Sequence, residues 1–419
     1  MSSLEQPETY MKVVIKQKQM LLIYLIGFID ATGLSIVSPL VTPLFYNESG
    51  LMAADSHPLT RAIAFGATYG LYSLCMFIGS PILGSYSDRA GRKLTLSYCL
   101  AGTAIGYILS GIGIIEHSLW LFFLGRVIDG FTAASMTTAK AAIIDLTQSE
   151  KIKYLSFFMA SVALGYIAGP TLGAIIYHHF GLSAPSFFIA GLAIINLLLI
   201  LFVFKETLES HRKQESLFRS IGKEVMLFFD RPRIQKLSLV YALYIISWFS
   251  FTGFLPMLLG LHFKQSPESI GLYFSLSAVV VVITAAALVT PCTKRFGSLN
   301  TYCLSLVVAA LSAFALSLTH SNTLAWCLLV PTAAGFTFGY VISTKLYSDQ
   351  VDSTQQGWAM GINSATSALF FAVAGFASGF FSGVNVSLPF TISLITGLAS
   401  CIFLLRFRGR LVINVRLET

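Results

Sequence analysis

Gly84-Ser85-Tyr86-Ser87-Asp88-Arg89-Ala90-Gly91-Arg92-Lys93 is a charged stretch lying between two long apolar runs. A bilayer interior has no water to solvate such a stretch, so it reads as a tight turn at one face of a membrane. The glycines allow two helix ends to approach closely. Arg92 and Lys93 mark the cytoplasmic side, and Asp88 has the chemistry to cap or ion-pair a neighbouring helix terminus.

Composition agrees with that reading. The chain has 419 residues, of which 55% are hydrophobic and 11% charged, whereas soluble domains carry about 25% charged residues. Mean hydropathy is +0.75. Apolar stretches of about 20 residues, enough to cross the hydrocarbon as helix, begin near Met20, Ala62, Leu94, Leu119, Leu155, Ala184, Leu237, Ile270, Thr301, Leu324, Trp358 and Leu388. The expected fold is an all-α membrane protein of about twelve transmembrane helices in two six-helix pseudo-symmetric bundles. With almost no mass outside the membrane, it is a transporter body rather than a receptor or membrane enzyme.

The net charge of +8 follows from orientation. By these spans 22 of the 27 Lys and Arg fall in inner segments, and only Arg61 and Lys264 fall outside. Both termini are therefore expected in the cytoplasm, and no nucleic acid is implied. The polar first 19 residues run straight into a full-length span, so no cleaved leader is expected. The six cysteines lie in or at the edges of spans as small hydrophobes. No C-x-x-C or C-x-x-H spacing and no third ligand near His178-His179 suggests a metal. No cofactor is implied.

The chain reads as residues 1–204, a linker over 205–236, and 237–419. Within the linker, Leu217–Phe229 has helical apolar spacing with basic residues between, as in a helix lying on the inner leaflet. Thr293-Lys294-Arg295-Phe296-Gly297-Ser298 repeats the Arg and Gly of the first turn, which marks an internal duplication. Lys294 stands there in place of Asp88, so the inner lock is expected in the first half alone.

Ionisable residues inside spans are costly and are functional candidates by default. Asp30 sits about 15 Å from the inner end of its span at 1.5 Å per residue, near the midplane, where desolvation favours the neutral form and lets it load and release a proton. On a continuous fourth helix, Asp129 lies about 60° from Arg126 and Lys140 about 40° to the other side, which puts all three on one face. Lys140 either faces a cavity or snorkels to the inner surface. Asp145, at the inner end, is placed to meet Arg92. In the fifth span Gly165, Gly169 and Gly173 form a small-residue stripe for close helix packing, and Pro170 removes a backbone donor. The second half adds aromatic residues, among them Tyr244, Trp248 and Tyr340, as walls for the apolar part of a solute.

The pattern G-x-x-x-D-R-x-G-R-K over Gly84–Lys93 resembles the signature of the major facilitator superfamily in the loop joining its second and third helices. Asp30-Ala31-x-Gly33, Gly125-Arg126 with Gly130, Asp145, and Gly169-Pro170 extend the similarity over nearly the whole chain, to the drug/proton antiporter branch and most of all to tetracycline/H+ antiporters. The resemblance implies two bundles with a solute site at the midplane between them. It implies proton coupling by Asp30 with Arg126 as its electrostatic partner; Asp129, on the same helix face as Arg126, is expected to join them on the charges alone. It further implies gating by Gly84, Asp88, Arg89, Gly91, Arg92 and Asp145, and the antiporter helix-5 motif at Gly165, Gly169, Pro170 and Gly173; the solute contacts expected at Arg126, Lys140, Trp248, Tyr244 and Tyr340 come from the charges and aromatics themselves. Three positions depart from it: Gly106 stands where tetracycline exporters carry an acid, Asp129 replaces a small residue, and Lys140 replaces a glycine.

The function expected is proton-coupled secondary active transport of a small organic solute by alternating access, in the export direction. The alternatives are proton-coupled import of an anionic or zwitterionic metabolite and a membrane sensor that moves nothing. An enzyme is not expected, because no nucleophile, base and orienting group form a set. The partners are the solute, H+ and the bilayer, for a monomer in the inner (plasma) membrane driven by the proton gradient.

Overall fold

The computed structural model describes residues 5–47, 50–53, 55–147, 150–208, 226–352 and 355–411. Among these all regular structure is helical. In chain order the helices are α1 (Glu5–Ile36), α2 (Val41–Tyr46), α3 (Pro58–Ala90), α4 (Arg92–Ile115), α5 (Leu119–Phe131), α6 (Ser135–Leu146), α7 (Lys151–Phe180), α8 (Ala184–Phe202), α9 (Pro232–Met257), α10 (Pro267–Ile283), α11 (Val289–Phe296), α12 (Ser298–Leu318), α13 (Asn322–Ser348), α14 (Gln356–Val384) and α15 (Leu388–Leu411). Short π-helical turns, Leu258–His262 and Thr284–Leu288, extend α9 and join α10 to α11. Twelve segments are long and apolar enough to span a membrane, and each begins within five residues of its expected start. Most of the expected interfacial helix in the linker lies outside the described residues.

The chain divides into two compact units, Met1–Val37 with Ile78–Leu217, and Ser38–Phe77 with Phe218–Thr419. The expected division at residues 204 and 237 follows chain order; the units do not, because α3 is shared between them. In the second unit the α3 segment before Ile78 packs on α14 backbone to backbone: a Cβ on Gly66 would overlap the Gly375 carbonyl, and one on Gly70 would lie 2.8 Å from the Phe376 ring. In the first unit α3 continues against the fourth span.

The fourth span, expected as one helix, is two. α5 ends at Phe131 and α6 starts at Ser135. Thr132 Oγ1 donates back to the Ile128 carbonyl at 2.9 Å, and the Ala134 N–H turns to the Thr132 carbonyl at 2.8 Å, so the helical ladder is lost there. Glycines accommodate the break, with Gly79 abutting the Phe131 carbonyl and Gly102 the Thr132 side chain.

The turns over Gly84–Lys93 and Thr293–Ser298 both place a glycine of positive φ between two helices, Gly91 at 103° and Gly297 at 78°.

Candidate functional site

The first unit gathers its buried charges around α1, α4 and the broken span. Arg126 Nη1 donates to Asp129 Oδ2 at 3.2 Å, and both side chains are buried. The Arg126 guanidinium lies 5.7 Å from the Tyr107 ring centroid, and the Tyr107 hydroxyl donates to the Gly33 carbonyl of α1 at 2.6 Å. Asp30, half-buried on α1, accepts a hydrogen bond from the Ser135 hydroxyl at the start of α6. Ser135 is the first residue of α6, which has no side-chain cap, so the carboxylate it holds lies at the positive end of that helix's dipole.

Two expectations are corrected. The ion-pair partner of Arg126 is Asp129, one turn along its own helix, while Asp30 is held by Ser135. The single face shared by Arg126, Asp129 and Lys140 required a continuous helix, and the break before Ser135 resets the phase. Lys140 is half-buried on α6 and, among the described residues, makes no hydrogen bond or ion pair.

The departure at Gly106 has a steric cause. A Cβ there would lie 2.7 Å from the Gly125 carbonyl oxygen and 2.8 Å from the Asp129 Cβ. α4 and α5 cross at this point too closely for a side chain at 106.

The helix-5 stripe faces α1. Cβ atoms on Gly165, Gly169 and Gly173 would meet Phe28 and Ala31, Ser35, and Ile36 respectively, and the Ser35 hydroxyl donates to the Gly165 carbonyl at 3.3 Å. The motif therefore seats the helix that carries Asp30. α7 runs on through Pro170.

At the signature turn Arg92 is the hub. Its Nε donates to Asp145 Oδ2 at 2.9 Å, and its Nη1 to Asp88 Oδ1 at 2.5 Å and to the Ser87 hydroxyl at 2.9 Å. Arg89 lies in the last turn of α3. Gly91 serves a close approach, but Gly84 does not: a Cβ on Gly84 meets nothing within 4 Å.

In the second unit Trp248 contacts Tyr340 and Phe371 at centroid distances of 6.3 and 5.5 Å. Trp248 is half-buried and Tyr340 is 46% exposed. Tyr244 is core instead. It is fully buried, its hydroxyl donates to the Phe336 carbonyl at 2.7 Å, and its ring backs Trp248 at 6.3 Å. Sequence reasoning missed Ser135 and Tyr107; only a polar residue directly after the Thr132-Ala133-Ala134 run hints at the first.

A family model of the Major Facilitator Superfamily matches residues 23–234 and 237–414, and the chain belongs to that family: it is a membrane transporter, not an enzyme. It is 27% identical over 356 residues to the tetracycline resistance protein, class C, of Escherichia coli, covering 83% of this chain and 86% of that one. It is 26% identical over 381 residues to multidrug resistance protein 1 of Bacillus subtilis (strain 168), covering 89% and 92%. Among solved structures, the human organic anion transporter MFSD10 (TETRAN) matches with TM-score 0.68 at 19% identity, covering 93% of this chain and 99% of that one. A D-xylose-proton symporter matches with TM-score 0.72 at 16% identity, covering 93% and 97%. These two likenesses show the fold.

Proposed function

We propose that the chain is a proton-coupled antiporter that exports a small organic solute by alternating access, as a monomer in the inner membrane with both termini cytoplasmic. The observation that carries the reading is the pairing of Arg126 with Asp129 while Asp30 stands apart on Ser135. A carboxylate that, among the described residues, has no cation of its own and is half-buried within a span is suited to taking up and releasing a proton. Arg126 and Asp129 set the field in which it does so. The relatives named for tetracycline and multidrug resistance favour export. Arg92 with Asp88 and Asp145 acts as the inner lock, and Trp248 and Tyr340 contribute walls for the solute.

A second reading, import of an anionic or zwitterionic metabolite, is favoured by one observation: Lys140 on α6 makes no hydrogen bond or ion pair among the described residues. Proteoliposome transport under an imposed pH gradient tests the first reading. Asp30→Asn, which mimics the protonated acid, should abolish uphill transport and keep solute exchange. Full gradient-driven accumulation by that variant would remove Asp30 from the mechanism.

A further inference from the structure

Glu206 lies just past the end of α8 and spends its carboxylate on another helix. Oε1 accepts from the backbone N–H of Arg92 at 2.9 Å, and also from Thr207 at 2.8 Å and Leu208 at 2.9 Å; Oε2 accepts from the Lys93 N–H at 3.1 Å. Arg92 and Lys93 open α4, whose own N-cap residue, Gly91, has no side chain to offer. The first turn of a helix leaves its N–H groups without partners and attracts negative charge. Glu206 supplies both needs from outside the helix. Gly91 is shaped for it: its φ is 103°, and a Cβ would lie 2.7 Å from the Glu206 Cδ.

The residue whose main chain is gripped in this way is the hub of the lock. The Arg92 guanidinium reaches Ser87 and Asp88 at the end of α3 and Asp145 at the end of α6. Through Arg92, main chain and side chain together, the ends of α3, α4, α6 and α8 are tied at one point. The direction in which the guanidinium points is set by the first turn of α4, which the carboxylate fixes.

We propose that Glu206 is a positioning residue of the inner lock: it aims Arg92, so that the segment leaving α8 and the signature turn engage and release as one piece. The proposal rests on the lock reading given above, and its test separates the two. Spin labels at the exposed residues Lys151 and Arg295, in a background without native cysteines, report the conformational populations of the reconstituted protein at pH 5.5 and pH 8. Glu206→Ala should shift those populations by about threefold or more, the weight of one ordinary hydrogen bond. Glu206→Gln, which keeps the shape and one acceptor oxygen, should shift them less, and Arg92→Ala at least as much as Glu206→Ala.

If Arg92→Ala shifts the distances and Glu206→Ala does not, Glu206 merely caps α4 and the proposal is overturned while the lock stands. If neither variant shifts them, the lock reading falls and takes the proposal with it. Should Glu206→Ala fail to fold, Glu206→Gln decides by the same comparison, an unchanged distribution counting against the proposal.

Discussion

Gly106 and Asp129 share one space: a Cβ on Gly106 would lie 2.8 Å from the Asp129 Cβ. α4 and α5 touch at these two positions. Gly106→Ala should therefore destabilise the protein by about 1–3 kcal/mol, as overpacking does. Asp129→Gly in the same chain should recover only part of that, because the Gly125 carbonyl remains 2.7 Å from the added methyl. Thermal unfolding of the two single variants and the double variant measures the coupling, and strictly additive losses would mean that the two positions do not compete.

What the sequence made legible was local. Spans announce themselves because hydropathy is summed over neighbours in the chain, and the signature turn because its glycine, acid and arginine stand at fixed spacing. The Arg92–Asp145 pair was legible because each sits at a span end and carries the opposite charge. Ser135 and Glu206 were not, since a hydroxyl beside a carboxylate 105 positions away, or an acid capping a helix 114 positions away, depends on tertiary placement. Tyr244 and Trp248 are equivalent on a helical wheel, one turn apart, and only the contact of Tyr244 with the Phe336 carbonyl separates core from wall.

The Ser135 hydroxyl should matter to coupling and little to folding. Ser135→Ala removes the donor to Asp30, and a hydrogen bond to a charged group contributes about 1.5–3 kcal/mol. Gradient-driven accumulation should drop roughly tenfold or more, with downhill exchange preserved, and Ser135→Thr, which restores a hydroxyl, should recover most of it. Equal loss of both fluxes in Ser135→Ala, with no recovery in Ser135→Thr, would assign Ser135 a packing role.

Exchanging Arg92 and Asp145 should not rescue the lock. The Arg92 side chain is 9% exposed and serves Asp88 as well as Asp145, so an acid at position 92 would face Asp88 with like charge. Arg92→Ala strands Asp145 and costs more than a surface pair. Arg92→Lys, which keeps the charge but not the fork, should retain intermediate turnover. Turnover restored to the parental rate by the exchange would show that Asp88 is dispensable.

The four backbone donors around Glu206 hold its carboxyl below the usual glutamate range, against the opposing effect of partial burial. A depressed acid contributes its stability above its unfolded value of about 4.3, and that stability is lost only as pH falls through the lower folded value. The deficit of Glu206→Ala in thermal unfolding should therefore be constant from pH 8 to about pH 5 and shrink only below about 4.3. A deficit that vanishes already between pH 7 and pH 6 would mean that another group titrates the clasp.

Lys140 decides between the two functional readings through the charge of the solute. It lies on α6, beyond the break that separates it from the Arg126–Asp129 pair, and that pair is already matched in charge. Its ammonium is half-buried and without a hydrogen bond or ion pair among the described residues, so once Asp30 is protonated it leaves this part of the first unit with one excess positive charge. A carboxylate on the solute would be stabilised there by about 1.5–3 kcal/mol through a charge-assisted bond. Lys140→Ala should then weaken binding of a carboxylate-bearing solute about tenfold or more, at 1.4 kcal/mol per decade, and leave a neutral analogue nearly unchanged. Lys140→Arg should keep most of the affinity for the anion. Equilibrium binding to the purified protein in lipid makes the comparison. A lipophilic cation that binds better than any anion, together with a silent Lys140→Ala, would mean that the side chain snorkels to the membrane surface and takes no part in solute recognition.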